Sequence, residues 1–111
     1  MASYPKLVMR ELLRINKDWH LNGVPESLPF PEGSEEAYLR VHVGTPPGLF
    51  EQATEYHRRK ALEGLACDQK ELTRSLAKEI AEHMMYANLA SQCFNQVFGQ
   101  DPLKDLPFPV H

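Results

Sequence analysis

The segment DQKELTRSLAKEIAEHMMYANLASQCFNQVFG, residues 68–99, contains no proline, and no glycine before its last position. Asp68 and Glu71 have the spacing of a D-x-x-E capping box, in which each side chain satisfies the other residue's backbone N–H. Gly99 supplies a stop, with Pro102 just beyond. The pattern predicts a helix over 69–98, about 30 residues and roughly 45 Å long. Leu72, Leu76, Ile80, Ala87, Ala90, Phe94 and Val97 recur at helical spacing on one stripe. In the second half Met84, Met85, Leu89, Cys93 and Phe98 add further apolar directions. A helix that is apolar nearly all round must be covered on more than one side. The cover comes from the rest of the chain or from another copy. The Met84-Met85 pair reads as adaptable core filler.

Upstream, Gly44-Thr45-Pro46-Pro47 marks a boundary. Thr45 suits an N-cap and Pro46 the first helical position. A second helix follows over about 46–66, with Phe50, Ala53, His57, Ala61 and Leu65 on one face. Gly64 weakens it by about 1 kcal/mol relative to alanine without breaking it. Two continuations are open. A turn at 66–69 makes an antiparallel hairpin with the long helix. Without the turn, one rod of over 50 residues would demand a partner to cover it. The hairpin is the expected form.

The first helix is expected over about 4–21. Pro5 fits its first turn, and Val8, Leu12, Ile15 and Trp19 form a narrow stripe. Asn22-Gly23, followed by Pro25, stops it. Lys6, Arg10, Arg14 and Lys17 lie off the stripe, as a solvated face does. A mitochondrial presequence would also be amphipathic and Arg-rich, but Glu11 and Asp18 count against it. The run Val8-Met9-Arg10-Glu11-Leu12-Leu13-Arg14 resembles the opening of LYR-motif mitochondrial proteins, which are small helical assembly factors and respiratory-complex subunits. The resemblance covers seven residues. It lacks the defining Leu-Tyr pair, with Val8-Met9 in its place, and membership in that family does not follow from it.

Two arms lie outside the helices, over 22–44 and 100–111. The first carries Pro25, Pro29 and Pro31. Within it Tyr38 to Val43 alternates, with Leu39, Val41 and Val43 on one side, as a strand does. No second strand pattern is legible to pair with it. The segment is therefore expected to be a connector, the alternative being pairing with its own copy. The arms share a four-residue repeat: Leu28-Pro29-Phe30-Pro31 and Leu106-Pro107-Phe108-Pro109. Prolines pre-set the backbone, so such segments present Leu and Phe at little ordering entropy. The arms either pack on the chain's own helices or dock a partner.

The chain has 111 residues and a net charge of −3. One small helical domain over 1–111 is the expected organisation. The mild acidic balance gives no basic footprint for nucleic acid. No apolar run of about 18 residues offers a membrane span. No secretory signal is legible. Cys67 and Cys93 make no metal pair, and free thiols fit a reducing compartment. A cytoplasmic location is expected, with the mitochondrion left open.

One polar constellation is worth naming. His83 lies in the apolar stripe with Glu79 one turn earlier, and a hairpin would bring His57 beside them. Two histidines and a carboxylate can hold a divalent metal. The same spacing also serves a metal-free Glu–His hydrogen bond. No Gly-rich phosphate loop and no Ser/His/Asp or Cys/His spacing suggests catalysis. The expectation is an all-α, three-helix protein without a cofactor. It would act as an accessory subunit, adaptor or inhibitor through Phe30, Phe94, Phe98, Leu106 and Phe108, with a protein partner or a second copy. The alternative is a metal-binding helical protein using His57, Glu79 and His83.

Overall fold

The computed structural model describes residues 4–31, 33, 34, 37–41 and 44–109. Among them the chain forms α1 (Lys6–Asn22), β1 (Ser27–Pro29), β2 (Tyr38–Arg40), α2 (Pro47–Leu65), a 3-10 turn (Gln69–Glu71) and α3 (Arg74–Val97). It is mostly helical, with one small antiparallel sheet. The all-α expectation is corrected by that sheet.

In α1 the predicted stripe is the buried one: Val8, Leu12 and Ile15 are covered. Proline 5 is at the N-cap, one position before the helix, and its carbonyl accepts from the Met9 N–H at 2.9 Å. Gly23 ends the helix at φ 89°, a conformation glycine adopts without a Cβ penalty.

The connector expectation over 38–43 is also corrected. Tyr38–Arg40 pairs with Ser27–Pro29, in the register Ser27↔Arg40, Leu28↔Leu39 and Pro29↔Tyr38. The Phe30 N–H to Ala37 carbonyl bond (3.0 Å) and the Val41 N–H to Glu26 carbonyl bond (2.7 Å) continue the same register on either side. Leu28 and Leu39 point inward and are fully or almost fully buried. The strand β1 leaves no alternation to read because it has three residues, a single inward side chain and a proline. His42 and Val43, the end of the predicted strand pattern, lie outside the described residues.

Helix α2 starts one residue later than expected, with Pro46 at the N-cap and Pro47 as the first helical residue. Thr45 is not the cap. Its hydroxyl donates to the Arg40 carbonyl at 3.0 Å and ties the end of β2 to the start of α2.

The break between the long helices is wider than the predicted turn. Asp68 caps only the 3-10 turn, accepting from the Lys70 N–H at 3.1 Å. Leu72 is then extended (ψ 108°), and α3 begins after Thr73, whose hydroxyl accepts from the Leu76 N–H at 3.1 Å. Thr73, not Asp68, is thus the N-cap of the long helix. No continuous rod forms, and α2 packs along α3. Gly64 faces Ile80 and His57 faces His83, so the contacts run in opposite directions along the two helices. A Cβ at Gly64 would collide with the Ile80 side chain. The weak helix former therefore sits where the backbones approach closely.

Helix α3 is buried on two sides, as its apolar wheel requires. One side joins α1 and Phe108 in a cluster with Val8, Leu12, Ala81 and Met84. The other joins Leu28, Phe30, Leu39 and Phe50 with Leu89, Ala90 and Cys93. The middle of α3, from Met84 to Ala90, is thus largely covered within one chain.

Candidate functional site

Two places on this frame carry polar or apolar groups that ordinary packing does not account for. The first lies between α2 and α3. His57 is fully buried among the apolar residues of α2. One ring nitrogen, Nε2, is 2.7 Å from the Pro29 carbonyl oxygen, and the other, Nδ1, is 2.9 Å from His83 Nδ1. A carbonyl only accepts, so His57 Nε2 carries the proton. A neutral imidazole has one N–H, so His57 Nδ1 accepts from His83 Nδ1–H. The contacts thereby fix both tautomers. His57 also lies 5.2 Å from the Tyr86 ring and 5.0 Å from the Tyr56 ring, centroid to centroid. Tyr86 in turn stacks on Trp19 of α1 at 6.2 Å.

Burial pushes His57 down to about 4; the Pro29 carbonyl opposes the shift and His83 adds to it. His83 is also lowered, chiefly by burial, with Glu79 and Glu82 opposing and Lys60 adding to the shift. Both rings are therefore held neutral at ordinary pH, which suits an uncharged hydrogen-bond chain from α3 through α2 to β1.

Of the predicted His57–Glu79–His83 constellation, the structure joins only the two histidines. Glu79 is exposed and acts on His83 through its charge alone. Among the described residues no group of three His, Cys, Asp or Glu side chains is placed to hold a metal ion. The donor geometry points the same way. Two imidazole nitrogens on a tetrahedral zinc lie about 3.3–3.4 Å apart, since each Zn–N bond is about 2.0–2.1 Å. The 2.9 Å spacing here closes around a proton. Cys93 is buried, and burial raises its thiol pKa, which makes it inert rather than nucleophilic.

The second place is the C-terminal end of α3. Val97 is 50% exposed and Phe98 57% exposed. Phe94 is half-buried, with its ring 5.0 Å from that of Phe98. Beside them a groove of about 640 Å³ opens between α3 and the start of α2, lined by Val41, Pro46, Pro47, Phe50, Cys93 and Val97. Leu103 in the following segment is 67% exposed. The other predicted contact residues are placed differently. Phe30 (9% exposed) and Phe108 (4%) are buried in the chain's own clusters, and Leu106 is half-buried.

Sequence reasoning missed the two asparagines that hold the tail. Asn88 donates to the Phe108 carbonyl at 2.6 Å and accepts from the Phe108 N–H at 2.9 Å. Asn95 donates to the carbonyls of Pro102 (3.2 Å) and Lys104 (2.9 Å). A signal was present. Asn88 and Asn95 are seven residues apart on the covered side of an apolar helix, where a short amide is unfavourable unless something pairs with it.

Comparison of the chain with known protein families, with curated proteins and with solved structures gives no match.

Proposed function

We propose that the protein is a small helical interaction protein, an accessory subunit, adaptor or inhibitor, that works by contact with another protein chain. The observation that carries this reading is the apolar end of α3. Phe98 and Val97 stand half in water beside a groove walled by proline, phenylalanine and valine. Most of the apolar surface of α3 closer to its middle is covered, so this exposure is confined to one end. Each of these half-exposed side chains forgoes roughly half of the ~1.5–3 kcal/mol that full burial supplies. Among the described residues no helix is long and apolar enough to cross a membrane. A second copy of the chain, meeting end on, is the partner this surface fits best, because the same exposed residues then cover each other.

The test is native mass spectrometry and light scattering of the purified protein at tens of micromolar, an affinity scale of roughly −6 to −7 kcal/mol. The wild type is expected as an assembly. Phe98→Glu is expected to return it to a monomer that still folds and melts cooperatively, since the substituted side chain is exposed. A wild type that stays monomeric under these conditions overturns the reading.

A further inference from the structure

The outer seam between α1 and α3 gathers charge that the fold does not use. The two helices run in parallel. Val8 meets Leu72 and Ile80 around one cavity, and further along Ile15 and Trp19 meet Glu82 and Tyr86 around another. Near their starts the seam opens into a groove of about 260 Å³, lined by Leu7, Arg10, Glu11 and Arg14 of α1 and Arg74 of α3. Three guanidinium groups and one carboxylate give this groove a charge of +2, whereas the whole chain carries −3. The carboxylate is already taken, since Arg14 Nε donates to Glu11 Oε2 at 2.6 Å. Among the described residues neither Arg10 nor Arg74 has an ion-pair partner. Asp68 and Glu71, on the turn before α3, are exposed and pair with neither.

These two charges do nothing for the folded state. Arg74 is the first residue of α3, where unpaired N–H groups already make the helix end positive. A carboxylate would be favourable there, yet the first turn of α3 holds no acidic residue. Arg10 lines the same small groove and adds a like charge. Glutamine at either position would keep the helices and remove only repulsion. A local choice that works against the fold is expected where a surface serves binding.

The lining also says what fits. A guanidinium fork pairs with a carboxylate through two parallel N–H···O bonds. Leu7, half-buried against the α1–α3 core, adds an apolar wall. The groove has room for a few side chains rather than a nucleic-acid duplex, and the net charge of −3 repels a polyanion at long range. Glu11 in the wall repels a doubly charged phosphate more than a singly charged carboxylate.

We propose that this groove is a docking site for an acidic segment of a partner protein, which sets carboxylate side chains against Arg10 and Arg74 and an apolar side chain against Leu7. The groove is at the opposite end of the 24-residue α3 from Phe98, about 36 Å away. The proposal therefore goes beyond self-association through Phe98 and does not depend on it.

The probe is a synthetic peptide, acetyl-Glu-Glu-Leu-Glu-Glu-amide, titrated into the full-length protein by calorimetry. Its counterpart with glutamine for glutamate, and inorganic phosphate, are the comparisons. The wild type and Phe98→Glu are expected to bind the acidic peptide equally, with an affinity that falls as salt is raised. The double variant Arg10→Gln, Arg74→Gln is expected to bind it about tenfold more weakly or worse. Both arginines are exposed, so this variant should melt no lower than the wild type. No binding at millimolar peptide overturns the proposal. So does equal binding by the double variant, or phosphate or the glutamine peptide binding as tightly. A double variant that fails to fold shows the arginines to be structural and overturns it too. Loss of self-assembly in the double variant would assign the groove to a second copy, against the proposal.

Discussion

His57 Nδ1 and His83 Nδ1 face each other at 2.9 Å, and the opposite nitrogen of His57 is committed to the Pro29 carbonyl. One proton bridges the pair. A second one placed between the rings would set two N–H groups against each other. The contact that joins α2, α3 and β1 is therefore built for neutral rings. Burial holds His57 at about 4, against 6.5 for an unperturbed imidazole. Between these values the unfolded chain takes up a proton that the folded chain refuses, so acid favours unfolding. His57's contribution to stability is complete above about pH 6.5 and declines as the pH falls toward 4. The full effect is on the order of 3 kcal/mol, and the lowering of His83 acts in the same direction. Urea unfolding at pH 7.5 and pH 4.5 should show the midpoint falling with acid. The fall should be smaller in His57→Gln, whose side chain does not titrate. Equal falls in the two proteins would sink this account.

Asn88 and Phe108 are matched donor for acceptor and acceptor for donor. Asn88→Ala leaves a buried N–H and a buried carbonyl without partners, each costing about 1–3 kcal/mol. A loss of about 2–4 kcal/mol is expected. Asn88→Asp keeps the acceptor for the Phe108 N–H but turns a carboxylate oxygen toward the Phe108 carbonyl, and it should be at least as harmful. Chemical denaturation of the three proteins measures both. A change under 0.5 kcal/mol for Asn88→Ala would show that the tail is not part of the core.

The helices were legible because their apolar residues repeat at the helical period and their stops are glycine and proline. Val8, Leu12 and Ile15 were read as one face and are one face. What escaped the sequence was held by contacts across long separations. The strand β1 exists because Leu39 offers it a partner eleven residues away, and three residues carry no period of their own. The N-cap of α3 was misread because both Asp68 and Thr73 can cap. Only the approach of α2 and α3 decides which of them begins the long helix. The histidine pair was half legible. The hairpin reading sets His57 near Glu79 with His83 converging on them, but the sequence does not reveal that His83 bonds to His57 and leaves Glu79 in solvent. For Phe30 and Phe108 the sequence left open whether a proline-flanked phenylalanine packs on its own chain, and the structure places both rings in the chain's own clusters.

The two rival caps give a direct contrast. Thr73 accepts a hydrogen bond from an N–H at the start of a 24-residue helix, whereas Asp68 serves an exposed three-residue turn. Thr73→Ala should cost about 1 kcal/mol, within the usual range for losing an N-cap. Asp68→Ala should cost less, because the turn it caps buries nothing. Thermal melts of the two variants decide between the caps. A larger effect at Asp68 would mean that the long helix starts where the D-x-x-E pattern first placed it.

Gly64 offers the sharpest separation of local propensity from packing. In an isolated helix Gly64→Ala would be favourable by about 1 kcal/mol. Here the added methyl group would meet the Cγ1 and Cδ1 atoms of Ile80 across the α2–α3 contact. Overpacking of this kind costs about 1–3 kcal/mol, so the substitution should be destabilising overall despite the better propensity. Ile80→Ala alone should cost about 2–5 kcal/mol, since Ile80 is almost fully buried and its removal leaves a cavity. In the double variant the new methyl group enters the space that Ile80 vacated. The two changes should therefore be non-additive, and Gly64→Ala should become neutral or stabilising in the Ile80→Ala background. A double-mutant cycle by urea denaturation measures the coupling. Strict additivity would mean that the two helices do not touch at this pair, and that the close approach of their backbones lies elsewhere along the hairpin.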